Sequence, residues 1–178
     1  MMEVFAETDR IILRELVLED APYMFIMDAD PEVHRYLGKK PIQTIREATD
    51  MILFIRKQYK DFGIGRWAIV DKVTNTFIGW SGLKFHPDTI NSHTDFYEVG
   101  YRLSREFWGH GYGTESALAS VKYAFEQLDL PAVYAMADCE NQASRKVLLK
   151  VGLKITGQFT YDGEAHHWFE LKKTDWKK

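Results

Sequence analysis

Between residues 96 and 103 the chain alternates. Tyr97, Val99, Tyr101 and Leu103 fall on one side, Glu98, Gly100 and Arg102 on the other. That period of two predicts a strand with two unlike faces. Similar short runs at 10–16, 67–70 and 77–85 predict three earlier strands, with a turn around Asn75 and a polar loop at 86–95. Short connections between successive strands predict an antiparallel meander. Elsewhere the period lengthens. Asp20 is placed to cap a helix over 21–27. Residues 28–41 form a polar loop broken by Pro31, Gly38 and Pro41. Thr44 and Glu47 have capping-box spacing, and Ala48, Met51, Ile52, Ile55 and Tyr59 then recur at helical intervals. After a glycine-rich turn at 109–113, Ala117, Leu118, Val121, Phe125 and Leu128 outline another helix, ended before Pro131. A strand at 132–137 follows. The next helix is opened by Asn141, striped by Ser144, Val147, Leu148 and Val151, and closed by Gly152. Two last strands, 154–161 and 166–171, pair across Asp162-Gly163. The expectation is an α/β fold with a mixed central sheet. An N-terminal antiparallel meander leads into strand–helix–strand–helix and a C-terminal hairpin.

Composition narrows this picture. At 178 residues, with 46% hydrophobic and 28% charged side chains, the chain is globular and large enough to bury a core without staples. No linker or repeat divides it, so 1–178 is read as a single domain. Net charge is −3, which gives no global attraction to nucleic acid or an anionic membrane. No apolar run approaches 18 residues, and the start lacks a signal-peptide pattern. The single cysteine, Cys139, allows no intrachain disulfide, which fits a reducing, cytoplasmic setting.

Three places carry candidate chemistry. Trp108, Gly109, His110, Gly111, Tyr112, Gly113 and Thr114 lie between a strand and a helix. Alternate glycines let a backbone turn tightly and bare its N–H groups, and the helix start adds unpaired N–H groups, together an anion site suited to phosphate. The lysine of a Walker A loop is missing, and Gly-x-Gly-x-Gly is not the dinucleotide spacing. Arg102, Arg105, Lys122, Arg145 and Lys146 supply nearby positive charge. Asn141 and Ser144 share one helix face; Asn141 is first a cap, and Ser144 is either a core hydroxyl or a pocket one. Glu98 interrupts an aromatic, β-branched strand, where it is either a solvated surface residue or a base at a cleft floor. The six histidines show no zinc spacing and Cys139 has no histidine near it, so no metal is expected.

Taken in order, these motifs resemble the GNAT N-acetyltransferase superfamily, and within it the RimJ/RimL-like branch of ribosomal-protein N-terminal acetyltransferases. The likeness rests on Thr8-Asp9-Arg10-Ile11-Ile12-Leu13-Arg14, on Tyr97 through Leu103, on Phe107 through Glu115, on Glu140-Asn141-Gln142-Ala143-Ser144, on Lys150-Val151-Gly152-Leu153 and on Asp162-Gly163-Glu164. It implies acetyl-CoA as co-substrate. The backbone of Gly109, His110, Gly111, Tyr112, Gly113 and Thr114 would hold the pyrophosphate. The strand carrying Val99, Tyr101 and Leu103 would pair with the pantetheine amides and offer an N–H to the thioester oxygen. Asn141 and Ser144 would meet the pantetheine arm and sulfur. Trp108 at the loop's start is common in that branch. The tyrosine that many relatives carry four residues after Ser144 is Leu148 here, and Leu149 and Leu153 replace the branch's usual Glu and Phe. A homodimer is implied by likeness alone.

An attacking amine must be neutral. Lysine amines titrate near 10.4 and α-amines near 8, so at pH 7 the free fraction is on the order of one in a thousand or a tenth. Glu98, directly or through water, is the expected base, with Asp162, Glu164 and His166 as lesser candidates. Direct attack and a tetrahedral intermediate need no covalent enzyme species. The acceptor is a primary amine, a protein N-terminus or a small molecule. Its wall is expected from the first helices, the 28–41 loop with its acids Asp28, Asp30 and Glu32, and the last hairpin. The competing reading is a CoA or acyl-CoA sensor without turnover.

Overall fold

The computed structural model describes residues 2–177. Its strands are β1 (Val4–Glu7), β2 (Ile11–Glu15), β3 (Arg66–Asp71), β4 (Phe77–His86), β5 (Phe96–Leu103), β6 (Ala132–Asp138), β7 (Lys154–Tyr161) and β8 (Glu164–Lys172). Its helices are α1 (Ala21–Asp28), α2 (Ile45–Phe62), α3 (Tyr112–Glu126) and α4 (Gln142–Val151). The strands form one sheet in the order β1-β2-β3-β4-β5-β6-β8-β7. β1 to β5 are an antiparallel meander, β5 and β6 are parallel, and β6, β8 and β7 are antiparallel again. The expected fold class holds. Among the described residues no helix is long and apolar enough to cross a membrane.

Strand alternation sends the core to both faces. On one face α3 and α4 cover Trp67, Ile69, Leu83, Val99, Val133, Ala135 and Phe169. On the other, α1 and α2 cover Leu16, Ala68, Val70 and Phe77. These are called the back and front faces below. Adjacent residues of β3 serve opposite cores, which is why its sequence reads as a continuous apolar run.

The α2 capping box forms as its spacing predicts. Glu47 N–H donates to Thr44 Oγ1 at 3.4 Å, and Thr44 N–H donates to Glu47 Oε2 at 2.8 Å. Gly63, at φ 70°, ends the helix in the left-handed region. Four expectations need correction. β1 was not foreseen, because four residues are too few to show a period. Met51 and Leu118 do not face inward; they are 43% and 44% exposed, on the flanks of stripes that narrower residues complete. Asp20 precedes α1 but makes no side-chain cap. Its buried carboxylate instead takes two 2.7 Å bonds from Arg14 and one of 2.9 Å from Val17 N–H.

Candidate active site

The parallel pair is the break in the sheet. β5 and β6 are in register only at Glu98 and Tyr134. Beyond that point the strands part, leaving the backbone of residues 99–103 without a ladder partner on β6. Strand amides off the ladder take other partners, water or a bound molecule, so this edge is open to a ligand. Each strand leads into a helix at the open end, β5 into α3 and β6 into α4. The carboxyl ends of parallel strands, with helix N-termini around them, are where α/β sheets bind ligands.

The 109–113 loop lies at that end. Gly109 and Gly111 have φ of 77° and 86°, and Gly111 is the N-cap residue of α3. Only glycine enters that region without strain, and here it turns the loop so that the first N–H groups of α3 stay free. Trp108 Nε1 donates to Leu103 O at 2.9 Å and fastens the loop to the end of β5. The first turn of α3 carries Glu115, whose charge opposes an anion. It is neutralised: Thr8 Oγ1 donates to it, Arg10 Nε donates at 2.7 Å, and the Arg10 guanidinium also reaches His110 O at 3.1 Å. Partial burial raises the Glu115 carboxyl's pKa, but these donors outweigh it and hold it below the usual range. Arg10 lies over the Tyr112 ring at 4.5 Å. This clamp was missed, because nothing in the spacing of Thr8 and Arg10 points to a partner over a hundred residues away. Of the cations expected to serve the loop, Arg102 is turned away, bound to Asp28 at 2.8 Å on the front face.

Across the gap, Asn141 Oδ1 accepts from Ser144 N–H at 3.0 Å, so the cap is real. Ser144 is half-buried, and its Oγ meets the Tyr101 hydroxyl at 3.1 Å. Leu148, where the family resemblance implied a tyrosine, is buried in the back core. Cys139 is half-buried, its thiol pushed up by burial and by Asp138, as suits an inert group.

On the front face Glu98 is not a solvated surface residue. Its carboxylate is 2.7 Å from His86 Nε2 and 3.1 Å from Arg66 Nη2. Burial alone raises its pKa, yet Arg66, the His86 hydrogen bond and Lys84 outweigh that and keep it below the usual carboxylate range. Arg66 reaches it because Gly100 has no side chain; a Cβ there would stand 2.5 Å from Arg66 Nη2. Arg66 also donates to Gly82 O at 2.7 Å and Glu98 O at 2.8 Å, and both Arg66 and Arg102 flank the Trp80 ring. Asp28 pairs with Arg102 and lies 3.6 Å from His34, so it is no free attractor for a cation. The 28–41 loop approaches the last hairpin, with Gly38 facing Asp162. Asp162 and Glu164 are exposed at that turn, and His166 is half-buried between Phe159 and Tyr161. Among the described residues no cluster of His, Cys, Asp and Glu is arranged to hold a metal ion.

Comparison with known proteins gives this arrangement a family. Residues 10–154 match the model of the acetyltransferase (GNAT) domain family. The chain is 34% identical over 151 residues to the uncharacterized N-acetyltransferase YoaA of Bacillus subtilis, covering 85% of this chain and 83% of that one. It is 35% identical over 150 residues to the FsC-acetyl coenzyme A-N(2)-transacetylase of Aspergillus fumigatus, covering 82% and 63%. Among solved structures, the ribosomal L7/L12 α-N-protein acetyltransferase RimL, in complex with coenzyme A, superimposes with a TM-score of 0.78 at 16% identity, covering 96% of this chain and 98% of that one. The chain belongs to the GNAT acetyltransferase family. It is an N-acetyltransferase, an acyl-transfer enzyme, as its motifs predicted.

Proposed function

We propose that this enzyme carries an acetyl group from acetyl-CoA to a primary amine by direct attack, with the donor lying in the β5/β6 gap. The observation that carries this reading is the gap itself, an unpaired strand edge that ends at two helix N-termini, one of them behind the Gly109–Gly111 turn. The pyrophosphate of the donor meets N–H groups of Gly109, His110, Gly111, Tyr112, Gly113 and Thr114. The pantetheine arm runs along the edge of Val99, Tyr101 and Leu103, completing its hydrogen bonds, with Asn141 and Ser144 on the opposite wall. RimL, solved with coenzyme A, has the same fold.

The acceptor enters from the front, on the side where the 28–41 loop approaches the last hairpin. Its proton leaves towards Glu98. A carboxylate held ionised by Arg66 is always ready to accept, but its low basicity favours passage through water over lasting capture. The neutral amine attacks the carbonyl carbon. The oxyanion is met by a β5 N–H near Val99, and the C–S bond then breaks with its electron pair on sulfur.

The test is thermal stability with acetyl-CoA, CoA, ATP and NAD, followed by thiol release with a peptide bearing a free N-terminus, spermidine and phenethylamine. A ligand at a hundred times its Kd stabilises by about 2.7 kcal/mol. A shift with acetyl-CoA and CoA alone, and thiol release with one of the amines, is expected. No shift with either overturns the donor site. A shift without thiol release from any amine points to the sensor reading.

A further inference from the structure

Leu148 carries no hydroxyl, but a tyrosine hydroxyl reaches the first turn of α4 from the strand. The Tyr101 hydroxyl crosses from β5 to α4 and stands 3.1 Å from both Ser144 Oγ and Ser144 O. A phenol has one proton, so two arrangements exist. With that proton on the carbonyl, the Ser144 proton is drawn back onto the Tyr101 oxygen. With it on Ser144 Oγ, the Ser144 proton is free to point into the gap. The ring cannot drift, because α3 packs over it; a Cβ on Gly113 would touch its edge at 3.7 Å. Burial pushes the phenol up to about 12, so it keeps its proton and stays a donor at any working pH.

Resting on the donor site proposed above, we infer that Tyr101 is a positioning residue: its side-chain hydroxyl fixes Ser144 Oγ across the gap so that Ser144 donates a hydrogen bond to the CoA sulfur as the C–S bond breaks. Neither hydroxyl loses its proton. The bonding pair moves to sulfur, the negative sulfur accepts the Ser144 hydrogen bond, and solvent protonates the thiolate afterwards. A hydrogen bond to a charged partner is roughly twice as strong as a neutral one, so the contact favours the leaving state over bound thioester.

The test needs no acceptor. Dissociation constants for CoA and for desulfo-CoA, which lacks the sulfur, are measured in the wild type, Tyr101→Phe, Ser144→Ala and the double variant from pH 7 to 10. An ordinary thiol titrates near 8.5, so the sulfur contact strengthens across this range. The wild type is expected to prefer CoA about tenfold at pH 10. That preference, the ratio of the two dissociation constants, falls severalfold in each single variant and no further in the double one. Tyr101→Phe that keeps the wild-type preference, or that loses CoA and desulfo-CoA affinity equally, overturns the inference. Wild-type protein that binds neither ligand overturns the donor site itself.

Discussion

The two sides of β5 do opposite work. Its back side, Val99, Tyr101 and Leu103, is apolar, packs on α3 and α4, and borders the gap. Its front side, Glu98, Gly100 and Arg102, belongs to a half-buried set of ions in which both carboxylates meet an arginine. Side-chain period in a strand is two, so one eight-residue segment keeps an apolar, hydroxyl-bearing side and a charged side a few ångströms apart without mixing them. In the proposed site, donor recognition on one side falls to backbone amides, glycines and hydroxyls. On the other, the proposed proton acceptor sits in a fixed array of charge. Changes on one side are therefore expected to leave the other intact.

The largest expected separation comes from Gly111→Asp. It places a side chain at φ 86° and a carboxylate against the phosphates, weakening acetyl-CoA by about a hundredfold, ~2.8 kcal/mol. Isothermal titration checks this, and unchanged affinity would remove the loop from the donor site. Glu98→Gln addresses the front. Turnover is expected to fall about a hundredfold near pH 7, the loss shrinking at higher pH where the amine is already free, with acetyl-CoA affinity unchanged. It also leaves Arg66 buried and unpaired, a cost of about 3 kcal/mol in stability. Because the folded carboxyl titrates below its unfolded value of 4.5, that stabilisation is present above pH 4.5 and lost as pH falls through the folded value. Urea melts of both proteins should therefore converge in acid.

Gly100→Ala is smaller. Its Cβ displaces the Arg66 guanidinium, costing about 1–3 kcal/mol and lowering turnover with little change in acetyl-CoA affinity. Weaker donor binding in this variant would show that the two sides are coupled. Smallest is His34→Gln. Burial, with Arg102 beside it, lowers the His34 pKa from 6.5, so below that pH the unfolded chain takes up a proton that the folded one refuses. Wild-type melting temperature should fall from pH 6.5 to 5, and the variant should show a shallower slope.

Alternation and turn chemistry are local, and they were legible in the sequence: the faces of β5, the α2 capping box, the glycine turn before α3 and the Asn141 cap. What escaped is long-range. Glu98 reads as an oddity in a strand, and its meaning depends on Arg66, which nothing in its own segment marks. Gly100 reads as a weak point, yet it is the opening through which Arg66 reaches. Tyr101 was expected to serve through its backbone; that its hydroxyl meets Ser144 depends on how far β5 and β6 diverge, a distance no spacing encodes. Likewise Asp28 looked like a free acid because Arg102 is 74 positions away.

The Thr8 and Arg10 clasp on Glu115 bears on the order in which the molecule is completed as it is made. Arg10 and Glu115 are 105 positions apart, so the segment holding Arg10 waits for one made much later before its cation has a partner. Until then Arg10 is an unpaired charge and the glycine turn has no brace beside it. A nascent chain that stops short of residue 115 lacks the carboxylate that Arg10 pairs with, so the glycine turn is braced only once the first turn of α3 has been made.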